Sequence, residues 1–269
     1  MLKTRVATAL VLLGVLLVVL FALPPVAGRA FFGAAILFGA WEWSRFVGLE
    51  RPLARLGYVL ATAVLGWLSW DGTGDLAHWL GLMTVAAAWW GVAFAWLCLR
   101  PEAVSRRGAA LAGLLVLVPT WVAIARLLQV GGAISGAALL MCMLLLVWAA
   151  DVGAYFAGRQ FGRVPLAPAI SPKKTWEGVL GGVLLALCIA LLEARWLGFA
   201  VVPFAGLALV VVSVSIIGDL TESMFKRASG LKDSSHLLPG HGGVLDRIDS
   251  ITAAAPFYVL GLSWFGVYG

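Results

Sequence analysis

The residues of this chain that could do chemistry collect in two stretches of its second half. The richer one runs Gly218-Asp219-Leu220-Thr221-Glu222-Ser223-Met224-Phe225-Lys226-Arg227, then Lys232-Asp233, Pro239-Gly240-His241-Gly242-Gly243 and Asp246-Arg247-Ile248-Asp249. Asp219 and Glu222 stand three apart where an apolar run ends, so on a helix they share a face; Asp246 and Asp249 repeat that spacing where the next run begins. Two helix ends joined by a hairpin can carry such carboxylates to one hard divalent cation, which prefers oxygen ligands. Glycines around His241 let the backbone approach a ligand, and their amides can form an anion nest. Lys226, Arg227 and Lys232 add positive charge for phosphates. Acids for a metal beside bases and glycines for phosphate is the equipment of nucleotide-phosphate chemistry. A salt-bridged surface loop is the plainer alternative, but it explains two acid pairs and a glycine hinge less well.

The second stretch reads Asp151-Val152-Gly153-Ala154-Tyr155-Phe156-Ala157-Gly158-Arg159, then Ser171-Pro172-Lys173-Lys174-Thr175-Trp176-Glu177-Gly178. Asp151 follows the apolar run Met141 to Ala150. An acid in a membrane span costs roughly 2.5–3.5 kcal/mol, so by default it points to function, with pairing inside a helix bundle as the alternative. Ser171 or Thr175 can cap the next helix, and amides at a helix start beside two lysines suit a phosphate. Lys173-Lys174 taken alone also reads as ordinary cytoplasmic loop charge.

The elements that hold these residues follow from composition. Of 269 residues, 62 % are hydrophobic and 12 % charged, and the mean hydropathy is +1.00. A soluble domain carries roughly 25 % charged residues, so a soluble, disordered or nucleic-acid-binding chain is excluded. The net charge of +6 sits between apolar runs and forms no basic face for nucleic acid. Cys98, Cys142 and Cys188 lie within apolar runs without metal or disulfide spacing.

A span needs about 20 mostly apolar residues. Nine candidates emerge, at 6–23, 27–41, 53–70, 76–99, 109–128, 134–156, 176–192, 197–220 and 251–268. The runs are continuous rather than alternating, which excludes a barrel. The first run exceeds the roughly 7–15 residues of a signal sequence and is expected to be retained. With the N-terminus cytoplasmic, sixteen of the nineteen Lys and Arg fall inside and only Arg29, Arg126 and Arg195 outside. That bias supports nine transmembrane helices with an external C-terminus. The expected fold is thus an all-α polytopic membrane protein: residues 1–130 form a hydrophobic scaffold of about five spans, and 131–269 a catalytic region of about four.

From Ser223 to Asp249, 27 positions with many fixed polar residues resemble the signature of bacterial phosphatidate cytidylyltransferases, also called CDP-diacylglycerol synthases. The Asp151–Arg159 and Ser171–Gly178 blocks resemble the family's second recurrent region. Together they cover roughly the last 120 residues; the first half matches only in being hydrophobic and multispanning. Ser235 departs from the pattern, standing where many members carry glycine. The resemblance implies that CTP and phosphatidic acid give CDP-diacylglycerol and pyrophosphate. It also implies Mg²⁺, with room for a second cation, and a homodimer in the bacterial inner membrane whose site faces the cytoplasm. On that reading Asp219, Asp246 and Asp249 hold the metal. Lys226, Arg227 and the turn Gly240, His241, Gly242 and Gly243 hold CTP phosphates, with Ser223, Lys232 and Arg247 from the same signature. Lys173, Lys174 and Arg159 receive the phosphatidate headgroup or assist with charge, and Asp151 and Glu177 are ligands or support the site. The rivals are a CTP-dependent polyprenol or dolichol kinase and an ion-coupled transporter. A CDP-alcohol phosphotransferase lacks support, because its Asp-Gly-x-x-Ala-Arg stretch is absent.

Overall fold

A computed structural model describes residues 2–70, 76–132, 134–240 and 242–268. Their helices are α1 (Leu2–Leu17), α2 (Pro25–Trp43), α3 (Pro52–Ser69), α4 (Leu76–Leu99), α5 (Arg106–Leu127), α6 (Gly136–Phe161), α7 (Trp176–Leu197), α8 (Val201–Ala228) and α9 (Leu245–Ser263). The end of α1 widens into a π-helical segment, Val18–Ala22, before Pro24-Pro25 redirects the chain. Pro25 and Pro52 open their helices, where a missing N–H costs nothing. Side-chain caps fix three other starts: Ser105 on α5, Ser135 on α6 and Thr175 on α7.

Six helices, α3 to α8, are long and apolar enough to cross a membrane. The apolar part of the first, Val6–Ala22, is shorter, and α2 and α9 fall outside the six. Both carry charge, Arg29 and Glu42 on α2 and Asp246, Arg247 and Asp249 on α9. The loop before α7 contains structure that hydropathy does not reveal. Antiparallel strands β1 (Pro165–Ala167) and β2 (Ser171–Thr175) form a hairpin that pairs Pro165 with Thr175 and Ala167 with Ser171. Of the two expected caps, Thr175 is the one used, its Oγ1 accepting the Gly178 N–H at 3.2 Å, while Ser171 lies in β2. Helix α8 continues two turns beyond the expected end of its span, to Ala228. Asp219, Glu222, Ser223, Lys226 and Arg227 therefore stand on one rigid helix.

Small residues set how closely the site-bearing helices approach. A Cβ on Gly153 of α6 would lie 2.5 Å from the Gly181 carbonyl oxygen of α7, and one on Gly182 would lie 2.5 Å from that of Ala150. Backbone-to-backbone contact of this kind is how helices associate in lipid, where burial of apolar surface supplies no drive. Helices α8 and α9 meet likewise, with Gly218 against the Asp249 carbonyl. The apolar cores mix both halves of the chain: Phe32, Trp79 and Leu127 pack with Phe204 and Tyr258, and Trp43 with Phe225. Trp43 also donates its indole N–H to the Ala109 carbonyl at 2.8 Å, which fixes the end of α2 beside α5.

Candidate active site

Two cavities meet the ends of α6, α8 and α9. The first, about 430 Å³, lies between α6, α7, the hairpin and α8. Its charged lining is Asp151, Arg159, Lys173, Lys174 and Asp219; Ala150, Val179, Val212 and Ile216 make apolar walls. The second, about 750 Å³, follows the loop before α9 and is lined by Lys232, Asp233, His236, Gly240, Gly242 and Arg247.

Three lysine–carboxylate contacts organise the space between them. Lys174 of β2 pairs with Asp219 of α8, whose other oxygen accepts the Ser223 hydroxyl at 3.4 Å. Lys226 Nζ stands 3.0 Å from Glu222 Oε1 and 2.8 Å from Asp246 Oδ1, joining α8 to the start of α9. All three of these groups are nearly sealed from solvent, with side chains 10 % (Lys226), 2 % (Glu222) and 6 % (Asp246) exposed. Losing one partner of such a set strands an unpaired buried charge, at a cost of about 3–5 kcal/mol. The other Asp246 oxygen accepts the Ser234 N–H at 3.0 Å, the Ser234 hydroxyl at 2.9 Å and the Gly243 N–H at 2.8 Å. Asp246 precedes the apolar part of α9. Its burial would raise the carboxyl's pKa, but Lys226 and the Gly243 N–H outweigh that and hold it below the ordinary carboxylate range.

The loop owes its shape to glycine. Gly240 and Gly242 adopt φ of +75° and +80°, which L side chains rarely tolerate, and Leu238 bridges back to Gly242. His241, expected here as a phosphate contact, lies outside the described residues.

The structure does not gather the expected metal set at one point. Among the described residues no three carboxylates, histidines or cysteines form a ready cage. Asp219 is turned to Lys174, and Asp246 to Lys226, Ser234 and Gly243. The Asp249 carboxylate accepts the neighbouring Ser250 N–H, at 2.7 Å, and interacts electrostatically with Asp219, Glu222, Lys226 and Lys174. Five carboxylates, those of Asp151, Asp219, Glu222, Asp246 and Asp249, thus face two paired lysines and Arg247. That excess of oxygen donors fits a hard divalent cation.

Two other expected site residues lie apart from both cavities. Arg227 does not join Lys226, because one residue along a helix turns the side chain about 100° away. Its guanidinium instead reaches the Ile170 and Leu231 carbonyls, at 3.5 and 3.4 Å, and lines a separate groove with Glu102. Glu177 does not reach either cavity: it accepts the Arg163 and Val164 N–H groups at 3.1 and 3.2 Å and ties down the entry to the hairpin.

One residue of the site carries no sequence signal. Glu42, 2 % exposed at the end of α2, accepts four hydrogen bonds from the signature loop. Its Oε1 takes the Ser235 hydroxyl at 2.5 Å and the Val244 N–H at 3.1 Å; its Oε2 takes the Leu245 N–H at 2.7 Å and lies 3.0 Å from the Ser234 hydroxyl, whose one proton it shares with Asp246. It caps α9 from another helix, satisfying amides that the start of α9 leaves unpaired. Gly243 packs so closely that a Cβ there would sit 2.5 Å from Glu42 Oε1. Glu42 is one acid at the end of an apolar run, nearly 200 residues from its partners, and no local spacing marks it.

Fold and site together describe a helical protein, six of its helices long and apolar enough to cross a membrane, that sets lysines against carboxylates beside two cavities. The sequence pattern of the cytidylyltransferase family matches residues 3–265, and the chain belongs to that family. It is 45 % identical over its whole length to the phosphatidate cytidylyltransferase of Pseudomonas aeruginosa, covering 99 % of that protein. It is 40 % identical to the phosphatidate cytidylyltransferase of Haemophilus influenzae, over 96 % of this chain and 97 % of the relative. The enzyme of the same name from Synechocystis matches over 41 % of this chain and 38 % of its own length, at 51 % identity.

Proposed function

We propose that this chain is a phosphatidate cytidylyltransferase, joining CTP and phosphatidic acid to give CDP-diacylglycerol and pyrophosphate. One observation carries the reading beyond family membership. The first cavity sets Lys173, Lys174 and Arg159 at the mouth of apolar walls made by Ala150, Val179, Val212 and Ile216, which suits a phosphate attached to acyl chains. Gly240, Gly242, Lys232 and Arg247 line the second cavity and suit a triphosphate, with Lys226 paired to Asp246 at the start of α9.

A phosphatidate oxygen attacks the α-phosphorus of CTP, that bond forms as the bond to the β-phosphate oxygen breaks, and pyrophosphate leaves. The attacking phosphate is already ionised at neutral pH, so the site needs positioning and positive charge rather than a strong base. Lys173, Lys174 and Arg159 hold the headgroup; Lys226, held between Glu222 and Asp246, faces the triphosphate. Asp219, Asp246 and Asp249 would hold Mg²⁺, with Asp151 near enough to assist. The ion would neutralise charge on the leaving pyrophosphate.

In this reading the nine helices alternate across the bacterial inner membrane, with the N-terminus and both active-site loops cytoplasmic and the C-terminus external. Residues 131–269 supply the chemistry, residues 1–130 the scaffold, and two copies form a dimer. Labelled CTP separates the rivals. Label from the α-phosphate should enter the lipid. Transfer of γ-label would instead mark a lipid kinase, and failure of turnover in detergent, with no gradient, would favour a transporter.

A further inference from the structure

A third cavity, about 720 Å³, opens where α2, α3, α5 and α8 end or begin, and it shares no lining residue with the two catalytic cavities. Its charged lining is Arg45, Arg55, Arg106 and Glu50. Among the described residues none of the three arginines has a carboxylate within 4.0 Å, since the ion pairs there involve only Lys174 and Lys226. Arg45 and Arg55 lie close enough to repel each other, an effect that Glu42 offsets only in part at Arg55.

Two of the guanidiniums are hydrogen-bonded in place while keeping donors free, and the third lies against the backbone. Arg55 stacks on the Trp41 ring at 4.0 Å and spends Nε on the Ser44 hydroxyl and Nη2 on the Trp41 carbonyl. Arg106 lies across Gly48, where a Cβ would sit 3.1 Å from its Nε. Arg45 gives one nitrogen, Nη1, to the Ser234 carbonyl at 2.6 Å. Three guanidinium forks lining one groove, none in contact with a carboxylate, match a phosphate, whose oxygens accept two parallel N–H bonds from each.

We propose that this groove is a second phosphate site, distinct from the catalytic cavities, and that its occupancy is linked through Arg45 and Ser234 to Asp246. Ser234 is the hinge of the link: its carbonyl is held by Arg45, while its N–H and hydroxyl hold the Asp246 carboxylate. An anion that fixes Arg45 thereby restrains the loop that orients Asp246. The anion is a phosphate group, supplied by an acidic phospholipid headgroup or by free phosphate. The link to turnover rests on the function proposed above, whereas the binding itself does not.

The full-length protein is reconstituted in phosphatidylcholine vesicles with and without phosphatidylglycerol, at fixed phosphatidic acid, and separately melted in detergent with and without inorganic phosphate. Arg106→Gln removes one fork from an exposed residue outside the catalytic machinery. Arg107→Gln removes the same charge one residue away, outside the groove. In the wild type and Arg107→Gln, the acidic lipid should raise kcat/KM for CTP by about fivefold, and Arg106→Gln should lose that response while keeping its basal rate. A phosphate-dependent rise in Tm that Arg106→Gln lacks assigns the site to free phosphate; a response to phosphatidylglycerol alone assigns it to the headgroup. Equal behaviour of the two variants, or a wild type that responds to neither anion, overturns the proposal. A rise in Tm with no change in kcat/KM overturns the link to Asp246.

Discussion

Replacing Glu42 with Gln should damage a site that the side chain does not itself enter. The carboxylate accepts the Ser234 and Ser235 hydroxyls and the Val244 and Leu245 N–H groups while 2 % exposed. Gln is the same size, but it offers one acceptor oxygen and turns an NH₂ toward donors. If the oxygen keeps Leu245 and Ser234, the donors that lose their partner are Val244 and Ser235. A buried donor left unpaired costs about 1–3 kcal/mol, and the Val244 amide has no rotation by which to escape. The expected destabilisation is therefore about 2 kcal/mol, a fall in Tm on the order of 5 °C for a chain of this size. Activity should fall further than stability explains, because Ser234 and Gly243 together make three hydrogen bonds to Asp246. We expect about a tenfold loss of kcat/KM in pyrophosphate release at a temperature where the variant stays folded. Glu42→Ala should exceed both effects, and Glu42→Asp should recover part of them. A Glu42→Gln protein that melts and turns over like the wild type would refute the view that α2 holds the catalytic loop.

Asp219→Asn and Asp246→Asn are nearly isosteric, so both should insert and fold while losing about 100-fold or more in turnover, on the order of 3 kcal/mol in the barrier; substantial turnover at low Mg²⁺ would exclude a shared cation. Lys226→Met should raise KM for CTP and lower Tm, since it strands Glu222 and Asp246, whereas Arg227→Met, facing Ile170 and Leu231, should leave KM for CTP within about twofold. Gly182→Leu should abolish folded protein in a thermal-shift or gel-filtration assay, because its Cβ would lie 2.5 Å from the Ala150 carbonyl oxygen, a backbone atom that cannot swing aside. A reporter fused after Gly269 should read external and one in the Arg100–Arg107 loop cytoplasmic; finding both on one side would exclude nine spans.

What the sequence discloses here depends on whether the signal is local. Apolar runs and their caps are local, so the helices fall close to where hydropathy puts them, with Pro25 and Thr175 at helix starts. Charge type and spacing are local too, so Asp151, Lys174, Asp219, Lys226 and Asp246 stand out from the amino-acid pattern alone. The cation-holding role given to Asp219, Asp246 and Asp249 depends on three-dimensional convergence. In the structure Lys174 and Lys226 occupy two of those carboxylates. The hairpin of β1 and β2 is too short for an alternating pattern to show. Arg227 points away from Lys226 because adjacency in sequence is divergence on a helix. Glu42 and Arg45 are invisible because each meets Ser234 across nearly 190 residues or more, a pairing that the packing of Trp43 against Phe225 creates and no motif encodes. Ser235 shows the converse: a serine that looks neutral in sequence supplies a hydrogen bond to Glu42.

The most direct test is to give the purified protein phosphatidic acid, Mg²⁺ and CTP labelled at the α-phosphate, and to follow lipid and nucleotide together. The account predicts stoichiometric pyrophosphate and labelled CDP-diacylglycerol, with both lost in Asp246→Asn. Release of CDP with a newly phosphorylated lipid, or turnover that survives Asp246→Asn, would contradict it.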